Sequence, residues 1–275
     1  MIKENNKTDQ NRKTGNSMVW FPLVNISKKR ELIFHLAISN IKIRFKDTYL
    51  GFLWAGLEPL FTFLILYMVF TSIRSTGENF AIYLISGVML YHIFTRGTMG
   101  GLGSLRGNVG IIKSLNVKRE IFPVAATIAM AILSVVEVGV LIGLMPFFKF
   151  TPGLTILLIP IPIILMLILV LGMSYLLSII NVFVKDIQTF WGIGVHALFF
   201  ISPIFWYIKD TEGLLLTIHS INPVGQLVEI FHKIVVFNEI PPISDWLYTT
   251  MFVFAILIFG YTIFRKYENK ILEEL

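Results

Sequence analysis

The stretch Lys42-Ile-Arg-Phe-Lys-Asp-Thr-Tyr-Leu-Gly-Phe-Leu-Trp-Ala-Gly-Leu-Glu-Pro59 decides the fold. In it a basic, amphipathic segment passes directly into a hydrophobic span. Upstream, Phe34, Ile38, Ile41 and Phe45 recur at helical spacing, while Glu31, His35, Lys42 and Lys46 fall on other faces. That pattern predicts a helix in the membrane interface, its apolar stripe in lipid and its cations near anionic headgroups. From Gly51 onward the chain is apolar enough to enter the bilayer, so this stretch fixes where water ends.

Working outward, 55% of the residues are hydrophobic and they come in long blocks. A hydrocarbon core about 30 Å thick demands blocks of ~20 apolar residues from helices. A β-barrel would instead show alternating segments of ~10 residues, and none occur. The fold class is an all-α integral membrane protein. With no cysteine, disulfides and thiolate metal sites are excluded. The net charge of +6 is concentrated in particular loops, which reads as membrane topology rather than nucleic-acid binding. Met18–Val24, broken by Pro22, lacks the pattern of a cleaved signal peptide.

Residues 1–27 read as a disordered or surface-associated tail, and Ser27 is placed to cap an interfacial helix over 28–47. Residues 48–265 then hold six expected spans: Gly51–Ile73, Phe80–Phe94, Ile121–Phe148, Leu154–Ile180, Trp191–Ile208 and Trp246–Phe264. Pro160 and Pro162 are expected to kink the fourth and Pro203 the fifth. The tail, the interfacial helix, the 96–120 loop and residues 266–275 carry most of the cations, among them Arg96, Arg106, Lys113, Lys118 and Arg119. The opposite loops hold Arg74, Lys149, Lys209 and Lys233 amid acids. The positive-inside rule puts both termini in the cytoplasm. The external stretch 209–245, with Asn222-Pro223 at one break and Pro241-Pro242 at its end, reads as a re-entrant hairpin of two short helices.

Several features invite chemistry. The glycines of 97–110 lack the Gly-Lys-Ser/Thr of a phosphate loop, and helix packing or a bend explains their four-residue spacing better. Glu58 and Glu137 are intramembrane carboxylates, readable either as satisfied buried acids or as a relay lining a pore. His92 and His196 lack the partners of a metal site, so no metal is expected. Aromatic residues crowd the span ends, including Trp54, Tyr67, Phe70, Phe199, Phe205 and Trp206. They read as an interfacial belt or as a stacking surface for sugar rings. No catalytic constellation is visible, which points away from an enzyme.

The 42–59 stretch resembles the opening signature of permease subunits of type-2 ABC exporters for cell-surface polysaccharides: O-antigen of lipopolysaccharide, capsule and teichoic acid. Ser86-Gly-Val-Met-Leu-Tyr-His-Ile-Phe resembles the family's second span, with Tyr91 where tryptophan is common. Asn108 through Lys118-Arg-Glu-Ile-Phe-Pro123 resembles its approach to the third. Asn181-Val-Phe-Val-Lys-Asp186 resembles its motif before the fifth, with Lys185 where arginine is usual. Ser202-Pro-Ile-Phe-Trp206 and Asn222-Pro223 match the exit side.

The resemblance implies a homodimeric channel in the plasma (inner) membrane. Each copy would dock on a separate cytoplasmic ATPase that holds the ATP and magnesium, leaving no cofactor on this chain. It implies that the interfacial helix gates the entrance, with Lys42, Arg44 and Lys46 receiving a lipid-pyrophosphate headgroup. Residues 96–120 would couple to the ATPase through Arg106, Lys113, Lys118 and Arg119. A lipid-linked glycan would then slide over Tyr67, Phe70, Phe199 and Trp206. The competing reading is an ATP-independent channel or proton-coupled transporter using Glu58 and Glu137.

Overall fold

A computed structural model describes residues 30–73, 77–114 and 117–274. The expected tail, the Ser27 cap, the helix start at Lys28 and Arg74 lie outside the described residues. The described residues are mainly helical, with no strand among them.

Helix α1 spans Arg30–Phe45. Asp47 takes a left-handed φ of 58°, and the Thr48 hydroxyl donates to the Phe45 carbonyl at 2.8 Å, so the helix stops there. The expected stripe is split. Ile33, Leu36, Ala37 and Ile41 are buried, mainly against the third long helix, whereas Phe34 and Ile43 face outward. One face of α1 is therefore a protein contact, a consequence of apolar residues lying on more than one side of this short helix.

Among the described residues, five helices are long and apolar enough to cross a membrane. After a 3-10 turn at Gly51–Leu53, α2 covers Trp54–Ile73 and α3 covers Phe80–Gly103. A six-residue helix α4, Val109–Ser114, leads toward α5, Ile121–Leu144. A 3-10 turn at Leu154–Leu158 precedes α6, Pro160–Phe183. The last long helix is α10, Ile243–Tyr267. Pro160 and Pro162 sit in the first turn of α6, where a missing N–H costs nothing, so they start the helix rather than kink it.

Two spans differ from expectation. The second continues through Arg96 to Gly103 instead of ending at Phe94. The expected fifth becomes α7, Ile187–Ile201, whose 15 residues reach roughly 22 Å at 1.5 Å each. Ser202-Pro203 ends it. Beyond it, α8 (Leu214–Ile221) and α9 (Pro223–Val235) form a pair bent by 91° where the external hairpin was expected.

α3 is the central helix, buried on nearly every side, while α2 and α10 expose most of theirs. It packs chiefly on α6, which packs in turn on α10; α5 covers its other flank, and α1 packs on α5. Close approach requires glycine. A Cβ on Gly97 would stand 2.6 Å from Val170 Cγ1, and one on Gly101 would collide with Ser174. A Cβ on Gly260 of α10 would collide with the Gly172 carbonyl of α6. Gly97 and Gly101 therefore do what their spacing suggested. Gly103 and Gly107 face open space instead.

Candidate functional site

Three helices meet at one buried charge cluster. Arg96, about two thirds of the way along α3, donates from Nη1 to Glu137 Oε1 on α5 at 3.1 Å and to the Ala55 carbonyl of α2 at 3.3 Å. Its Nη2 donates to Glu58, one turn further along α2. Glu137 is wholly buried, Arg96 nearly so, and Glu58 is half exposed. A guanidinium fork suits two carboxylates approaching from different helices. This explains how a sequence position expected in a cytoplasmic loop lies inside the helical core. The acids were visible in the sequence, and their cation was missed. An intramembrane acid implies a partner, and Arg96 lies only two residues past the expected second span.

Beside the cluster stands Arg44 of α1. Partial burial, and then the Arg96 charge, pull its pKa below the ordinary arginine value. Arg44, Arg96, Asn40, Ser104 and Asn108 line a cavity of about 340 Å³ between α1, α3 and α5. Lys42 and Lys46 are exposed and do not line it.

At one end of the bundle the loop after α3 is tied down by its own polar groups. Arg106 donates to the carbonyls of Asn181 and Val182 at 2.6 and 2.9 Å, capping the C-terminal end of α6, where a cation is favourable. Asn181 Nδ2 donates back to the Leu102 carbonyl at 2.9 Å. Arg119 donates to the Glu268 carbonyl at 3.1 Å, and Lys118 lies 3.9 Å from Glu120. Glu120 also faces Arg265 at 4.0 Å and Tyr261 at 3.4 Å. Burial, opposed by Lys118, pushes the Glu120 pKa up. Lys113, on α4, is exposed.

At the other end, Asn222 accepts the Val224 N–H at 3.1 Å, capping α9, and donates to Ser202 Oγ at 3.1 Å. Tyr83 of α3 donates to the carbonyls of Pro203 and Trp206 at 3.0 and 2.6 Å. The exit-side motifs, distant in sequence, therefore form one joint.

The four aromatic candidates are only partly united. Phe70 stacks on Phe205 at 5.0 Å, and Phe205 lies 5.9 Å from Phe199. Tyr67 joins through Phe80. Trp206 stands apart, donating to the Phe200 carbonyl and lying beside His219. Phe205 is the linking ring; the chain reversal after Pro203 that presents it has no periodic signal.

These features define the class: a multi-pass helical membrane protein whose central helix is locked by an ion cluster and whose loops are jointed at both ends. The chain belongs to the ABC-2 type transporter family, whose pattern matches residues 31–236. That is a family of transport permeases rather than of catalysts. The chain is 26% identical over 251 residues to the O-antigen export system permease protein RfbA of Klebsiella pneumoniae, covering 89% of this chain and 95% of that protein. It is 22% identical to the RfbA of Myxococcus xanthus, covering 77% and 83%. It is 27% identical to the polysialic acid transport protein KpsM of Escherichia coli, covering 86% and 93%.

Proposed function

We propose that the chain is the channel-forming subunit of an ATP-driven exporter that carries a lipid-linked polysaccharide, O-antigen-like, outward across the plasma membrane. The observation that carries this reading is similarity over nearly the whole chain to permeases named for O-antigen and polysialic acid transport. In this reading two copies pair, both termini are cytoplasmic, and a separate ATPase supplies ATP and magnesium. Teichoic acid would satisfy the same entry chemistry and is the nearest alternative cargo.

Each set of candidate residues takes a part in this scheme. Lys42, Arg44 and Lys46 offer cations to a pyrophosphate headgroup. The ring series Tyr67, Phe70, Phe205 and Phe199 offers weak, repeated stacking to a sliding glycan, with Trp206 beside it. Coupling to the ATPase falls to residues 104–120, since 96–103 are helix interior, and Lys113 on the exposed helix α4 is its best contact. Arg106 and Arg119 support that surface by tying it to α6 and to the C-terminal segment, and Lys118 lies beside Glu120 within it. Glu58 and Glu137 are both held by Arg96, which favours a structural role over a proton relay.

The test is charge reversal. Lys113→Glu is expected to reduce co-purification with the ATPase encoded beside this chain, and export with it. Unchanged association and export would remove the coupling surface from this loop.

A further inference from the structure

The end of the bundle that carries the Tyr83 joint also holds a cavity of about 210 Å³, set between α3, α9 and the chain around Tyr207 and Phe237. Its aromatic side is rigid. Tyr83 is buried, with the His232 ring stacked on it at 3.7 Å and the Tyr207 ring 4.4 Å away. The Tyr83 hydroxyl is engaged by the carbonyls of Pro203 and Trp206, and His232 Nε2 donates to the Tyr83 carbonyl at 3.0 Å, so these rings are held in place. Phe237, 42% exposed, adds ring surface at the cavity mouth. The polar side is fixed as well. Lys233 Nζ lies 2.9 Å from Glu229 Oε1 and 2.8 Å from Asp245 Oδ2, and Glu229 Oε2 lies 2.9 Å from His219 Nε2. Lys209 and Glu239 complete the lining and are exposed, with Lys209 Nζ 5.6 Å from the centre of the Phe237 ring. None of these rings belongs to the Tyr67, Phe70, Phe205 and Phe199 series.

We infer that this cavity binds one uncharged pyranose unit of a glycan. Ring surface beside several hydrogen-bonding groups suits a sugar, whose C–H face packs on the negative face of an aromatic ring while its hydroxyls both donate and accept. The carboxylates of Glu229 and Glu239 accept from hydroxyls, and the Lys209 ammonium donates to them. Two lysines and two carboxylates line the cavity, so net charge favours neither an anion nor a cation. A ligand ammonium, which aromatic rings also attract, meets Lys209 already beside Phe237. The volume falls below the ~300–1,000 Å³ of drug-sized sites, which leaves room for one ring rather than a stretch of chain. Groups ordered in advance lower the cost of binding so small a ligand. The inference goes beyond the exporter reading and rests on it only for the source of the sugar, the exported chain rather than a free sugar.

The test uses the full chain alone in phosphatidylcholine nanodiscs, read by saturation-transfer NMR. The probes are the methyl glycosides of glucose, galactose, mannose and N-acetylglucosamine, with that of N-acetylneuraminic acid as the acidic comparison. At least one neutral glycoside is expected to bind, and the acidic one to bind at least about fivefold more weakly. Phe237→Ala is expected to weaken binding roughly two- to tenfold and Glu239→Gln roughly threefold or more. Both side chains are exposed, so the ligand-free melting temperature should hold, and Glu239→Gln decides the matter if Phe237→Ala fails to fold. Saturation transfer to none of the neutral glycosides, or affinity retained in both variants, would overturn the site. Equal binding of the acidic glycoside would overturn the uncharged class. Export of a lipid-linked glycan from vesicles holding this chain and its ATPase separates the sources. Slower export by Phe237→Ala would assign the sugar to the exported chain, and unchanged export would overturn that source in favour of a free sugar. Absence of export by the unaltered chain would count against the exporter reading alone, because binding is read without the ATPase.

Discussion

Arg96 on α3 and Glu137 on α5 meet at 3.1 Å with neither side chain more than 4% exposed, and the other arm of the same guanidinium holds Glu58 on α2. Removing the shared cation leaves two carboxylates without a partner, one of them fully buried. Arg96→Met is therefore expected to destabilise the chain by about 3–5 kcal/mol, whereas the triple change Arg96→Met, Glu58→Gln, Glu137→Gln should recover most of that loss. Thermal unfolding in detergent checks it. Equal stability of the single and triple variants would show that the cluster is not what holds these helices.

The glycines divide by what a side chain would meet. Gly101→Leu and Gly260→Ala are expected to cost about 1–3 kcal/mol each, since α6 must be pushed away from α3 or α10. Gly103→Ala, which meets nothing, should be neutral or stabilise by up to ~1 kcal/mol through helix propensity. Melting temperatures of the three variants provide the comparison.

Glu120 gives a pH signature. Its pKa is raised by burial against the neighbouring loop and C-terminal segment, so the protonated form favours the packed arrangement. Stability from this group is fully present below the ordinary carboxylate pKa and is lost as pH rises through the elevated one. Hydrogen exchange at residues 117–120 and 265–271 should quicken over that window, and Glu120→Gln should flatten the dependence. A profile unchanged by the substitution would assign the effect to another group.

Phe205→Leu keeps an apolar side chain but loses the ring that joins Phe70 to Phe199. The loss of stacking is expected to cost about 0.5–1.5 kcal/mol. In the exporter reading it should slow glycan export severalfold while the partner's basal ATP hydrolysis stays unchanged. Equal loss of both activities would point to misfolding rather than to a sliding surface.

Much of this architecture was legible from local pattern. The long helices, the shorter helix ahead of them, the paired short helices and the acids within the spans follow from hydropathy blocks and from charges out of place. What stayed hidden depends on neighbours. Arg96 reads as a loop residue because a lone arginine is costly in a helix core, and only two acids far away in sequence make its position stable. α1 buries a different face from the one its spacing suggested, because α5 rather than lipid covers it. Pro160 reads as a kink until the preceding turn shows that it opens a helix. The α1–α3–α5 cavity has no sequence signal beyond its glycines, whose spacing equally suits close packing.

The central claim is tested most directly by ATP hydrolysis of this chain co-purified in lipid with the ATPase proposed as its partner, with and without lipid-linked glycans. The account predicts hydrolysis that requires both chains and rises when the cognate glycan is added, with O-antigen-like and teichoic acid cargoes separated by which one stimulates. Absence of association and of stimulated hydrolysis, together with transport that proceeds without ATP, would contradict it and return Glu58 and Glu137 to the centre of the mechanism.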